Sequence, residues 1–119
     1  MVVKRKSRRS TARFGEDSAG LVAERFRALA EPTRLRLLST LRPGPRSVGE
    51  LVALIGTSQA NVSKHLQVLH KQGFVDRRKA GTTIYYQIAD PMVFEMCELV
   101  CDGIQQELDQ RRARLGPTN

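Results

Sequence analysis

A tight break at Gly56-Thr57-Ser58 separates two short helical stretches and limits what this chain can become. Ahead of it, Ser47 and Glu50 have the spacing of a capping box, so a helix is expected over Val48 to Ile55, with Gly56 ending it. After it, Ser58 is placed to cap a second helix, Gln59 to Gln72. Val62, Leu66 and Leu69 fall on one face of that helix. Gln59, Ala60, Ser63, Lys64, Gln67 and Lys71 fall on the other. Gly73 stops it. An alternating stretch, Phe74 to Lys79, then reads as a strand, Ala80-Gly81-Thr82 as a turn, and Thr83 to Ile88 as a β-branched and aromatic strand.

The flanks are helical. Leu21, Val22, Phe26 and Leu29 recur at helical spacing over Ser18 to Leu29. Pro32 suits the first turn of a second helix that runs to about Leu41, with Leu35, Leu37, Leu38 and Leu41 expected to be largely buried. Asp90-Pro91 is expected to open a long last helix to Leu115, with Asp90 as cap and Pro91 at the first helical position. The expected fold is mainly α with a β-hairpin, an α+β arrangement in the order α-α-α-α-β-β-α. Two helices across a tight turn followed by a basic hairpin make a winged helix-turn-helix.

The 119 residues suit one domain. Residues 17–115 are expected to form it, between a basic, disordered arm over 1–16 and a short tail over 116–119. The net charge of +8 is uneven. Residues 1–13 hold six bases and no acid, whereas residues 57–89 hold five bases against Asp76 alone. The high pI therefore overstates how basic the folded body is. No apolar run approaches the roughly 20 residues of a membrane span, and the start does not read as a secretory leader. Two cysteines cannot frame a secreted mini-protein, so a reducing, cytoplasmic location is expected. No phosphate-binding glycine loop, carboxylate pair in a cleft or nucleophile–base pairing points to an enzyme.

The chemistry instead suits double-stranded DNA. Glutamine and asparagine amides match adenine edges, and serine can bond either base type. The expected DNA-contacting residues are Ser58, Gln59, Asn61, Ser63, Lys64 and His65 on the second helix of the motif, with Arg77, Arg78 and Lys79 on the hairpin. A protein-interaction module, with a basic wing for an acidic partner, uses the same residue types and stays open.

Several stretches together resemble the ArsR/SmtB family of bacterial repressors. They are Glu31-Pro32-Thr33-Arg34-Leu35-Arg36-Leu37-Leu38, Ser47-Val48-Gly49-Glu50-Leu51, Thr57-Ser58-Gln59-Ala60-Asn61-Val62-Ser63-Lys64-His65-Leu66, Gly73-Phe74-Val75 and Tyr85-Tyr86. The resemblance covers about residues 18–110. It implies a homodimer built from the first and last helices, and repression at an inverted-repeat operator relieved by a sensed ligand. The family's Cys-Val-Cys site corresponds here to Ser47-Val48-Gly49, with both thiols absent. Its Asp-x-His and His-x-x-Glu site corresponds to Asp90-Pro91-Met92 and Gly103-Ile104-Gln105-Gln106, of which only Asp90 remains.

What remains for sensing is Cys97 and Cys101. Four residues apart on a helix, they share one face with Cβ atoms about 5–6 Å apart. Their thiolates could converge on a soft ion, and As(III) or Sb(III) is the favoured inducer, with no obligatory cofactor. Two other uses stay open: a redox or reactive-sulfur switch, and plain core packing in a DNA-binding regulator without a sensor.

Overall fold

A computed structural model describes residues 15–116. The expected disordered arm and tail lie outside the described residues, apart from Gly15, Glu16 and Gly116. The elements are α1 (Glu16–Leu29), α2 (Pro32–Leu41), β1 (Arg46–Ser47), α3 (Val48–Ile55), α4 (Gln59–Lys71), β2 (Val75–Ala80), β3 (Thr83–Ile88) and α5 (Met92–Leu115).

The expected order omitted one element, β1. Arg46 and Ser47 pair antiparallel with Tyr86 and Tyr85, so the sheet has three strands in the order β1-β3-β2. A two-residue strand has no alternation to read, and Ser47 was already accounted for as a cap. It serves both purposes: its Oγ accepts from the Glu50 N–H at 3.1 Å, and its own N–H donates to Glu50 Oε1 at 2.8 Å. The capping box thus fastens the start of α3 to the inner edge of the sheet. At the other end Gly56 takes φ +82°, a left-handed conformation open to glycine at no steric cost. Gly81 does the same, at φ +65°, in the two-residue loop of the hairpin.

The core is a continuous apolar cluster with Leu37, Leu38 and Leu41 from α2 at its centre. Leu51 and Ile55 of α3, Val62, Leu66 and Leu69 of α4, Phe74, Val75 and Tyr86 of the wing, and Val93 of α5 pack around them. Leu35 departs from expectation and is exposed. It lies two positions from Leu37, which a helix turns about 200° away from the buried side. The α5 boundary is also one residue later than expected. Pro91 is the N-cap rather than the first helical residue, and Asp90 Oδ1 accepts from the Met92 N–H at 3.1 Å.

Two helices are only partly used. In α5 the early residues Val93, Phe94, Met96 and Cys97 meet the core, and the rest runs clear of it. Leu99 is 73% exposed, with Val100, Ile104 and Leu108 also exposed. On α1, Leu21 and Phe26 are exposed too. The radius of gyration is 17.9 Å, against about 13 Å for a compact chain of about 100 residues. No helix among the described residues is long and apolar enough to cross a membrane.

Leu66→Ala should cost about 2–5 kcal/mol, because it opens a void at a site with no solvent contact. Ser47→Ala should cost about 1 kcal/mol through the lost cap. Urea denaturation at fixed protein concentration checks both.

Candidate nucleic-acid interface

The outward face of α4 and the near face of the hairpin enclose an open groove of about 520 Å³. Gln59, Ser63 and Gln67 line it from the helix, Arg77, Thr82 and Thr83 from the wing, and Ser47 from the start of α3. The three helix residues follow at intervals of four and so form one stripe. Sequence reasoning placed Gln67 on the polar face but did not count it among the contacts. Its spacing from Gln59 and Ser63 was the available signal.

The expected site residues divide by what their side chains already do. Gln59 and Lys64 are exposed and Ser63 is half-buried at the groove. Ser58 Oγ is engaged as the helix cap, accepting from the Asn61 N–H at 3.1 Å. The Asn61 amide donates to Thr57 Oγ1 at 3.3 Å. Both residues shape the turn and the helix start, while Gln59 and Ser63 remain available for base edges.

His65 is a correction. Its side chain points into the molecule, at 5% exposure, so it does not stand on the DNA-facing side. It lies six positions after Gln59 and three after the buried Val62, which puts it on the core face. The Arg34 Nη1 donates to its Nδ1 at 3.0 Å, and Glu31 Oε1 lies 3.8 Å from its Nε2. A guanidinium can only donate, so Nδ1 accepts and the neutral ring carries its proton on Nε2. Burial lowers the His65 pKa below the ordinary 6.5, against the opposite pull of Glu31 and with the Arg34 and Lys64 charges adding to it. Partial burial of Glu31 pushes its carboxyl upward, but the N–H groups of Arg34 and Thr33 outweigh this and hold it below the usual value.

The three wing cations do not form one patch. Arg77 pairs with Tyr86, Arg78 with Tyr85 and Lys79 with Ile84 across the hairpin. Successive strand residues face opposite sides, so Arg77 and Lys79 share the face toward α4. Arg78 is on the other face, its guanidinium 5.3 Å from the centre of the Tyr85 ring.

Cys97 is half-buried and Cys101 exposed on α5. Burial pushes the Cys97 thiol above its ordinary value, and the neighbouring Cys101 adds to the rise. Among the described residues no group of three or more His, Cys, Asp or Glu is gathered to hold a metal. The thiols among the described residues are these two, Cys97 and Cys101.

A helix-turn-helix domain model matches residues 29–78, from the end of α1 into β2. A transcriptional repressor SmtB homolog from Synechocystis is 39% identical over 90 residues, covering 76% of this chain and 68% of that protein. The crystal structure of the AntR antimony-specific transcriptional repressor superposes with a TM-score of 0.70 at 33% identity, covering 92% of this chain and 99% of that one. A homodimeric winged helix-turn-helix DNA-binding domain from Mycobacterium bovis, described as a possible ArsR-family regulator, has a TM-score of 0.68 at 28% identity, covering 92% and 95%. The two structural likenesses each take in 92% of this chain, well beyond the helix-turn-helix segment. The chain is a DNA-binding regulator rather than an enzyme and belongs to the ArsR/SmtB family of winged helix-turn-helix transcriptional repressors.

Proposed function

We propose that this protein is a homodimeric repressor that binds an inverted-repeat operator and is released by a thiophilic metalloid, As(III) or Sb(III), held at Cys97 and Cys101. The observation that carries the reading is the last helix, whose apolar face is exposed and bears both thiols. An apolar stripe of that length is at odds with a free monomer in water. Val100, Ile104 and Leu108 of α5, with Leu21 and Phe26 of α1, offer the surface for a second copy. Homodimeric and antimony-specific relatives of the same fold support the assignment by likeness.

Pairing two copies through α5 gathers four thiols along one seam, enough for a three-sulfur site. A neutral trihydroxide of As(III) or Sb(III) exchanges one hydroxide for each thiol it binds, so a metalloid–sulfur bond replaces a metalloid–oxygen bond and the thiol proton leaves with that hydroxide as water. Burial holds the Cys97 thiol in its protonated form, which is the form that enters this exchange. Metalloid affinity should therefore change little with pH between about 6 and about 8, where free thiols stay largely protonated, as competition titrations at fixed salt would show. The same burial disfavours Cys97 as a fast-reacting redox thiol. On the DNA side, Gln59 and Ser63 are placed to read base edges. Arg77 and Lys79 are placed to hold the backbone, and Arg78 is a lesser contact.

Fluorescence anisotropy of the reduced protein on its own upstream DNA is the test. As(III) or Sb(III) should release the wild type and leave a Cys97→Ser/Cys101→Ser variant bound; equal release of both would remove the cysteines from the account. Gln59→Ala should cost about 1–3 kcal/mol and relax sequence preference. Arg77→Ala should weaken binding on all sequences and flatten the salt dependence by about one phosphate contact, with Arg78→Ala doing less. Ile104→Glu should halve the mass seen by light scattering and abolish tight operator binding.

A further inference from the structure

Arg34 touches three helices. Its Nε donates to the Ala28 carbonyl at 2.6 Å and its Nη2 to the Arg27 carbonyl at 3.1 Å, which closes the end of α1. Its own N–H bonds Glu31 Oε1 at 3.2 Å in the first turn of α2. Its Nη1 bonds Nδ1 of His65 at 3.0 Å, in the middle of α4. The helix offered above as part of the dimer surface is thus joined to the DNA-reading helix through one guanidinium and one imidazole. His65 is the one buried polar or charged residue among those described. It neither faces DNA nor belongs to the cysteine seam.

We propose that His65 is a positioning residue, that its contact with Arg34 sets the reading helix against the end of α1, and that protonating its ring breaks the contact and weakens operator binding. The proposal rests on the DNA-binding role of α4 and is independent of the cysteines. Proton bookkeeping is simple. In the neutral ring Nδ1 is the acceptor and Nε2 carries the proton. Adding a proton to Nδ1 turns it into a donor facing a donor, with a positive ring against a guanidinium.

The charges that act on the ring are Glu31 and Arg34 from the start of α2 and Lys64 beside it on α4. α1 contributes the carbonyls of Arg27 and Ala28 through Arg34. The one carboxylate of α3, Glu50, is occupied at its own cap. Glu31 alone favours the charged ring, while burial, Arg34 and Lys64 oppose it. The contact is therefore intact above the ordinary histidine value of 6.5 and is lost as pH falls below it. The folded state is also destabilised in that direction, because the unfolded chain takes up its proton first.

A bystander histidine makes the opposite prediction. An added positive charge near the duplex strengthens phosphate attraction, so affinity would rise on acidification. The experiment is operator affinity by anisotropy between about pH 8 and about pH 5 at constant salt, in the usual histidine window. Wild type should weaken by about tenfold or more toward the acid end. His65→Leu should be weak throughout. His65→Gln, whose amide oxygen can still accept from Arg34, should recover binding and lose the pH dependence. His70→Gln, at an exposed position on the same helix, should keep it.

A pH-independent wild type, a dependence that persists in His65→Gln, or one that vanishes in His70→Gln would overturn the proposal. Thermal melts of each variant report folding. If His65→Gln does not fold, imidazole nitrogen resonances of the wild type decide. The proposal requires an Nε2–H tautomer at high pH and protonation in step with the loss of DNA affinity. An Nδ1–H tautomer would refute it. Failure of operator binding at every pH would instead count against the repressor reading itself.

Discussion

Arg34 is the residue on which the arrangement of the helices turns. Helix ends leave carbonyls without partners, and at the Ala30-Glu31 corner the Ala30 N–H reaches the Arg27 carbonyl while that of Ala28 is left to a side chain. The guanidinium fills that gap for α1 while Glu31 caps α2, so the corner is fixed from both sides. The remaining donor reaches His65, and the reading helix is fixed to the same point. Arginine is suited to this because its donors lie in a rigid plane and keep their charge. A lysine would present one point charge and could not span three helices at once. The leucine core beneath supplies most of the burial, but it is not directional.

That fixed corner separates two surfaces. On one side α4 and the wing present amides, hydroxyls and cations around a groove. On the other, α1 and the outer part of α5 present apolar side chains to solvent. Arg42 helps to hold the second surface to the first. Its guanidinium lies 4.5 Å from the centre of the Phe94 ring and 3.5 Å from Glu98, where α5 leaves the core. This pair is exposed, so it guides the helix exit more than it stabilises the fold. In the function proposed above, a ligand on α5 acts across this junction, and a change in the dimer angle reaches DNA through α1, Arg34 and α4.

Much of this was legible in the residues. The capping box at Ser47 and Glu50, the stop at Gly56 and the cap at Ser58 are local devices, and each appears where its spacing placed it. The hairpin followed from alternation. Features that depend on distant partners were not legible. β1 exists only because Tyr85 and Tyr86 lie beside it. His65 was placed among the DNA contacts together with the motif around it. Its spacing from Val62 already put it on the core face, but its partner Arg34, 31 positions earlier, could not be read from spacing. The wing cations read as a cluster, and alternation across the hairpin divides them. The apolar stripe of α5 was visible, but periodicity alone does not say whether a stripe faces its own core or a second chain.

The central claim is that two copies of this fold present two reading helices to one face of a duplex. Hydroxyl-radical footprinting of the reduced protein on its own upstream DNA tests that most directly. The account predicts two protected stretches, related by a dyad and centred about one helical turn (roughly 10 base pairs) apart or a multiple of it. A single unpaired patch, or no protection at concentrations that saturate non-specific binding, would contradict it.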